Sequence, residues 1–245
     1  MNKNSTILND LYDTGFKIYQ NDEYFKFSLD SLLLAKFVKP DYKDKKILDL
    51  CTGNAPIPII LSSNNNFEIT GIEMQKEIYH LASESIKINN IKNVNIINDD
   101  LKNLKNYFPG NNFDIITCNP PYFKVEKESL LNKNEIKSIA RHEIYITLEE
   151  IIKTSYVMLK DKGKLYIIHR TDRMIELINL LTKYKFGIKR LQIIYPNEHS
   201  KGSMIIIEAK KIANMMSKFC HLNLQTSNWR KYEINSRTGQ SRKRI

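Results

Sequence analysis

Seven short runs of Ile, Val and Leu punctuate the chain, at "KILDL" (46–50), "FEITGIE" (67–73), "VNIIN" (94–98), "FDIITC" (113–118), "KLYIIH" (164–169), "RLQIIY" (190–195) and "SMIIIEA" (203–209). Continuous apolar runs of this length suit strands buried on both faces. Stretches with helical periodicity separate most of them, at 75–89, 148–159 and 172–184. Thr147 and Glu150 are spaced as a capping box, and Thr171 is placed to cap the helix after it. Strand alternating with helix predicts an open α/β fold: a mostly parallel, seven-stranded sheet covered on both faces. The last two runs are joined only by "PNEHSKG", too short for a crossover helix, so they should form an antiparallel C-terminal hairpin. One more helix, 29–38 behind a Ser28 cap, precedes the first run. At 245 residues the chain is long enough for one good-sized core. The expectation is a single domain over 1–211, with a helical lead-in over 1–45 and a basic tail over 212–245.

The first residues are polar, and no apolar run approaches the ~20 residues of a membrane span, so a cytoplasmic protein is expected. Cys51, Cys118 and Cys220 lack C-x-x-C spacing and read as free thiols, with no structural metal. The formal net charge of +11 is unevenly placed. Residues 210–245 hold nine Lys or Arg against Glu233 alone, a balance of +8, which leaves 29 basic and 26 acidic residues, +3, for 1–209. In the tail, "NWRKYEINSRTGQSRKRI" interleaves cations such as Arg230 with Trp229 and Tyr232, a pattern suited to phosphate contact and base stacking. On composition alone it fits a solvated end equally well.

Ligands of an open parallel sheet bind beyond the carboxyl ends of its strands, near the point where strand order reverses. After the first strand comes "DLCTGNAPIP", where Asp49 ends the strand and Gly53 permits a tight turn. A dinucleotide fingerprint needs three spaced glycines and only one is present, and no phosphate-loop motif occurs. Glu73 ends the second strand, where a carboxylate can accept from both hydroxyls of a ribose. "NDDL" ends the third, where Asp100 can accept from an adenine amine while Leu101 covers the ring. Acidic residues often end strands simply as helix caps, but three at consecutive strand ends describe a nucleoside pocket.

The fourth strand delivers "NPPY" to the same edge. Two prolines cannot continue a sheet ladder, so the strand must stop at Asn119 and turn a stiff corner. A planar aromatic amine is a poor nucleophile with two N–H groups. The side-chain oxygen of Asn119 and the carbonyl of Pro120 can accept one each, aiming the nitrogen lone pair at an electrophile without a strong base. Pro121 stiffens the corner, and Tyr122 offers a flat face for a base.

"ILDLCTGN", "GIE", "NDDL" and "NPPYF", in this order, resemble the Rossmann-like class I methyltransferases that use S-adenosyl-L-methionine to methylate amines. Together with "GFKIYQNDEYFKFSLDSLLLAKFV", "IARHEIYITLEEII" and "YIIHRTDRM", they resemble the bacterial enzymes that methylate the exocyclic nitrogen of the adenine beside the valine tRNA anticodon, over roughly residues 10–209. The resemblance implies that Asp49, Thr52, Gly53, Asn54, Glu73, Met74, Asp100 and Leu101 hold the cofactor. It also implies that Asn119, Pro120, Pro121 and Tyr122 act on the amine. Lys124, Arg141 and His142, after this corner, are expected near the tRNA, Phe123 fits either the substrate side or the core, and no obligatory protein partner or membrane is expected. The family's glycine-rich loop usually reads "GTGNG", and Cys51 and Ala55 replace two of those glycines, which could tighten the pocket. Arg141 and His142 fit a structural salt bridge with Glu143 as well as a phosphate. His169 reads as a hydrogen-bonded packing residue rather than a base, and Tyr145, Tyr156 and Tyr166 as core. NPPY is shared with enzymes that methylate protein glutamine, so a protein glutamine, an rRNA base or a DNA adenine remains open as the acceptor. A non-catalytic RNA-binding protein on this fold is the different-class alternative.

Overall fold

The computed structural model describes residues 6–21, 29–122, 146–197 and 200–212, with short strands at 223–226, 233–234 and 241–242. The expected runs become β3 (Lys46–Leu50), β4 (Glu68–Glu73), β5 (Val94–Asn98), β6 (Phe113–Cys118), β7 (Leu159–Arg170), β8 (Phe186–Ile194) and β9 (Met204–Lys211). Between them lie α2 (Pro56–Leu61), α3 (Lys76–Ile88), α4 (Leu148–Met158) and α5 (Met174–Lys183), with α1 (Leu29–Phe37) in front. Strand order is β5-β4-β3-β6-β7-β9-β8, followed at the edge by a short β10 (Asn223–Thr226). All neighbours pair in parallel except β9, which runs antiparallel to both β7 and β8. Seven strands thus take the arrangement the alternation implied, and the order reverses between β3 and β6.

Successive residues of a strand point to opposite faces, which divides the core into two layers. Ile47, Ile115 and Tyr166 pack with Leu33, Leu34 and Ile57 of α1 and α2. Leu48, Ile116 and Ile167 pack with Ile151, Ile152 and Leu177 of α4 and α5. The capping box forms at the head of α4: Thr147 Oγ1 accepts from the Glu150 amide, and the Glu150 carboxylate accepts from the Thr147 amide. Among the described residues, no helix is long and apolar enough to cross a membrane.

Three expectations change. The lead-in is not helical throughout: β1 (Thr6–Asp10) and β2 (Lys17–Asn21) form an antiparallel hairpin ahead of α1. Its turn uses left-handed backbone at Tyr12 and Gly15, and buried Leu11 and Ile18 pack against Ala55, Ile59 and Ala82. Thr171 caps nothing. Its hydroxyl donates to the Gly202 carbonyl at 2.7 Å, tying the end of β7 to the β8–β9 turn, while Thr171–Arg173 form one 3-10 turn before α5. The sheet also does not end at β9, because β10 pairs in parallel with β8. Farther on, β11 (Glu233–Ile234) and β12 (Ser241–Arg242) form a separate antiparallel pair.

Candidate active site

The carboxyl ends of β3, β4, β5 and β6 meet at one edge of the sheet. After Leu50 the chain turns through three residues of left-handed backbone, Cys51 (φ 54), Gly53 (φ 58) and Ala55 (φ 66). The two positions without a glycine keep the left-handed turn, which costs a side-chain-bearing residue roughly 1–2 kcal/mol. The loop is fastened from several sides. The Thr52 amide donates to the Ile72 carbonyl at 3.0 Å, the Ala55 amide to the Thr52 carbonyl at 3.0 Å, and the Asn54 side chain to the Tyr19 carbonyl of the hairpin at 3.0 Å. Gly71 on β4 makes this approach possible: a Cβ there would lie 2.8 Å from Thr52 Oγ1 and 2.7 Å from Ile96 Cδ1.

Asp49 sits under the loop at 1 % exposure. Its carboxylate accepts from Thr52 Oγ1 at 2.6 Å and from Thr117 Oγ1 of the neighbouring strand at 2.5 Å. Burial pushes this carboxyl up to about 7, against the stabilising pull of the two threonine hydroxyls. Asp49 therefore ties loop to sheet. Glu73 is also buried, and one carboxylate oxygen accepts from the Gly53 amide at 3.0 Å, the other from the Gln75 amide at 2.9 Å. Burial raises its pKa as well. The Met74 amide is a third backbone donor to this carboxylate, whose two oxygens together offer about four acceptor sites, so room remains for a further donor. Asp100 caps the following 3-10 turn, accepting from the Lys102 amide at 2.9 Å, and Leu101 beside it is buried. Met74 is 37 % exposed.

β6 stops at Cys118, as two following prolines require. The Asn119 amide is held at both ends: Nδ2 donates to Ser31 Oγ of α1 at 3.0 Å, and Oδ1 accepts from the Tyr122 hydroxyl. Asp30 Oδ2, 3.0 Å from the same hydroxyl, is an alternative acceptor for its one proton. Burial, then the Asp30 charge, lifts the Tyr122 pKa well above its ordinary value, so it remains a phenol. The Tyr122 ring lies edge-on to His169, centroids 5.5 Å apart. His169 is fully buried. Its Nδ1 accepts from the Arg170 amide at 2.8 Å, which puts the proton on Nε2, and Nε2 has no partner among the described residues. The packing role expected of His169 holds at one nitrogen only. Burial, reinforced by Arg173, lowers its pKa to about 4, so it stays neutral.

The structure thus brings together Asp49, Thr52, Gly53, Asn54, Glu73, Asn119, Pro120 and Tyr122. Phe123, Lys124, Arg141, His142, Tyr145, Trp229 and Arg230 lie outside the described residues. Sequence reasoning missed Asp30, Ser31, Gly71, Gln75 and Thr117. Thr117 was signalled by being a polar residue near the carboxyl end of the apolar run "FDIITC", and Asp30 and Ser31 by standing at the head of an apolar helix.

A family described as a methyltransferase domain matches residues 41–232. A tRNA1(Val) (adenine(37)-N6)-methyltransferase of Cytophaga hutchinsonii is 26% identical over 189 residues, covering 75% of this chain and 76% of that protein. A release factor glutamine methyltransferase of Thermodesulfovibrio yellowstonii is 39% identical over 94 residues, 38% of this chain and 32% of its own length. Among solved structures, M. jannaschii TYW2 in complex with AdoMet superposes with a TM-score of 0.58 at 16% identity, covering 86% of this chain and 87% of that one. With its family model matched over most of its length, this chain belongs to the methyltransferase-domain family.

Proposed function

We propose that this protein transfers a methyl group from S-adenosyl-L-methionine to the exocyclic N6 amine of an adenine in tRNA, the one next to the valine tRNA anticodon. The observation that carries the reading is the Asn119 amide, fixed at the end of β6 on the same edge as the buried Glu73. Several relatives similar over most of the chain are named for that reaction.

The residues present fit the cofactor. Among the described residues, nothing lies within 4 Å of where a Gly53 Cβ would be, and Gln75 Oε1 next to Glu73 is a buried acceptor without a partner. Glu73 would take the ribose hydroxyls, the loop 51–55 would cradle the rest, and Asp100 with Leu101 and Met74 would border the adenine. The cofactor supplies a methyl group on a positively charged sulfur. Asn119 Oδ1 and the Pro120 carbonyl accept the two N–H groups of the target amine and turn its lone pair outward. Tyr122, once released from Asn119, offers its ring to the base. Phe123, Lys124, Arg141 and His142, which follow this corner in sequence, would contact the nucleic acid, and Trp229 and Arg230, in the basic C-terminal sequence, would meet its phosphates.

The partial match to a glutamine methyltransferase supports a second acceptor, a protein side-chain amide, which also bears two N–H groups. Tritium transfer separates the readings. With labelled cofactor, bulk tRNA lacking the modification should accept label and a purified release factor should not. Asn119→Ala should lose turnover at least a hundredfold while keeping cofactor affinity within twofold. Label on the release factor alone would favour the second acceptor, and label on neither would remove the adenine reading.

A further inference from the structure

Two cysteines meet where the loop after β3 reaches the corner after β6. Leu50 and Cys118 are register partners on these adjacent parallel strands, and Cys51 follows Leu50 directly. Parallel neighbours lie ~4.8 Å apart with ~3.3 Å between successive residues, which puts the Cα atoms of Cys51 and Cys118 roughly 6 Å apart, within the span of a disulfide. Cys51 packs against the apolar cluster that holds Cys118. Burial, and then the Cys51 thiol beside it, raises the Cys118 pKa well above its ordinary value. Both are free thiols, but they differ in access: Cys51 is half-buried, and Cys118 has no exposed surface. Cys51 also holds left-handed backbone, φ 54, which glycine would adopt without strain, so this side chain is kept at a conformational cost. The methyl transfer described above uses neither sulfur.

We propose that Cys51 and Cys118 form a reversible thiol-oxidation site, in which a disulfide clamps the loop 51–55 to the Asn119 corner and halts methyl transfer. Only the consequence for transfer rests on the functional reading above. The oxidant is a small-molecule disulfide such as oxidised glutathione. The accessible Cys51 thiolate attacks it, forming a mixed disulfide and releasing one glutathione thiolate. Cys118 then gives up its proton and attacks the Cys51 sulfur, which makes the bond between the two cysteines and expels the second glutathione. Two protein thiols are oxidised, one glutathione disulfide is reduced to two thiols, and the two protons end on them. Burial holds Cys118 as a thiol, so the second step is the slow one. Because Asn119 directly follows Cys118, the bond ties the amine corner to the loop between Asp49 and Gly53, and the two can no longer adjust to a cofactor and a base held between them. The half-buried Cys51 sulfur stays open to attack by reducing thiols, which makes the site reversible.

The test takes the full chain, reduced and then incubated with oxidised glutathione, and maps its peptides by mass spectrometry without reduction. The peptide carrying Cys51 should be joined to the one carrying Cys118. Turnover on unmodified tRNA transcript should fall at least tenfold and return to within twofold of its starting rate after dithiothreitol. Cys118→Ala removes the second thiol, so glutathione should stay attached to Cys51 instead of being expelled. Should that variant fold poorly, the map of the native chain decides alone. No link between Cys51 and Cys118, a link from Cys51 to Cys220 in its place, or glutathione retained on Cys51 of the native chain would overturn the proposal. So would the expected link with turnover unchanged. A reduced native chain inactive on tRNA would fail the functional reading instead, and the peptide map would still decide whether the two cysteines join.

Discussion

Gly53 and Gly71 stand on either side of one loop contact and are glycine for different reasons. Gly53 needs positive φ but meets nothing among the described residues where a Cβ would lie, whereas Gly71 has ordinary backbone and no room. Gly53→Ala should therefore cost only left-handed strain, about 1 kcal/mol. Gly71→Ala should cost more, roughly 1–3 kcal/mol. The Ile96 methyl can swing aside, but Thr52 cannot retreat without leaving Asp49. Urea midpoints of the two variants check the order. The buried titrating groups make a second, signed prediction. His169 in the folded state titrates near 4, below its ordinary 6.5, so the stability it contributes is present above 6.5 and lost as pH falls toward 4. That loss approaches roughly 3 kcal/mol. Asp49 acts oppositely: its folded value near 7 lies above the ordinary 3.8, so its contribution is full at low pH and is lost as pH rises through 7. His169→Gln should flatten the rise of stability between pH 4 and 6.5, and Asp49→Asn the fall between pH 3.8 and 7, both read by chemical denaturation from pH 4 to 8.

At the scale of elements, most of the sheet was legible because its strands are written as unbroken Ile, Val and Leu runs, and the α4 cap because its two partners lie three residues apart. The site was half legible. Asp49, Glu73 and Asn119 are polar residues at the ends of apolar strands, a local signal. Ser31 and Asp30 act through contacts 88 and 92 residues away in sequence, which no local pattern carries. The hairpin was missed because its strands are short and mostly polar, with their stabilising bonds supplied by distant groups: Ser85 Oγ accepts from the Tyr19 amide at 2.9 Å, and Asn89 from the Lys17 amide at 2.8 Å. β10 was missed because "NLQT" is neither apolar nor alternating, and it takes its partner from β8. Removing the hydroxyl at Thr147 tests the legible part: Thr147→Ala should destabilise the protein by about 1 kcal/mol, measured by thermal unfolding.

For the whole molecule the charge distribution frames how a polyanion would be held. Residues 1–209 carry +3 and the remainder +8, so a basic C-terminal segment would be the main source of phosphate neutralisation on a bound tRNA. Ending the chain at Lys211 should weaken tRNA binding and reduce its salt dependence, but the cut also removes β10 and bares the edge of β8. Neutralising the six basic residues beyond 229 (Arg230, Lys231, Arg237, Arg242, Lys243 and Arg244) leaves the strand sequence 223–226 in place and is the cleaner comparison. Filter binding across a salt series should show a shallower slope for the neutralised chain. The central claim, methylation of a tRNA adenine through the Asn119 corner, is tested most directly by mass spectrometry of nucleosides from digested tRNA of a deletion strain, complemented with the native gene or with Asn119→Ala. The account predicts that N6-methyladenosine disappears on deletion, returns with the native gene and stays absent with the variant. Unchanged N6-methyladenosine after deletion, or its full return with Asn119→Ala, would contradict it.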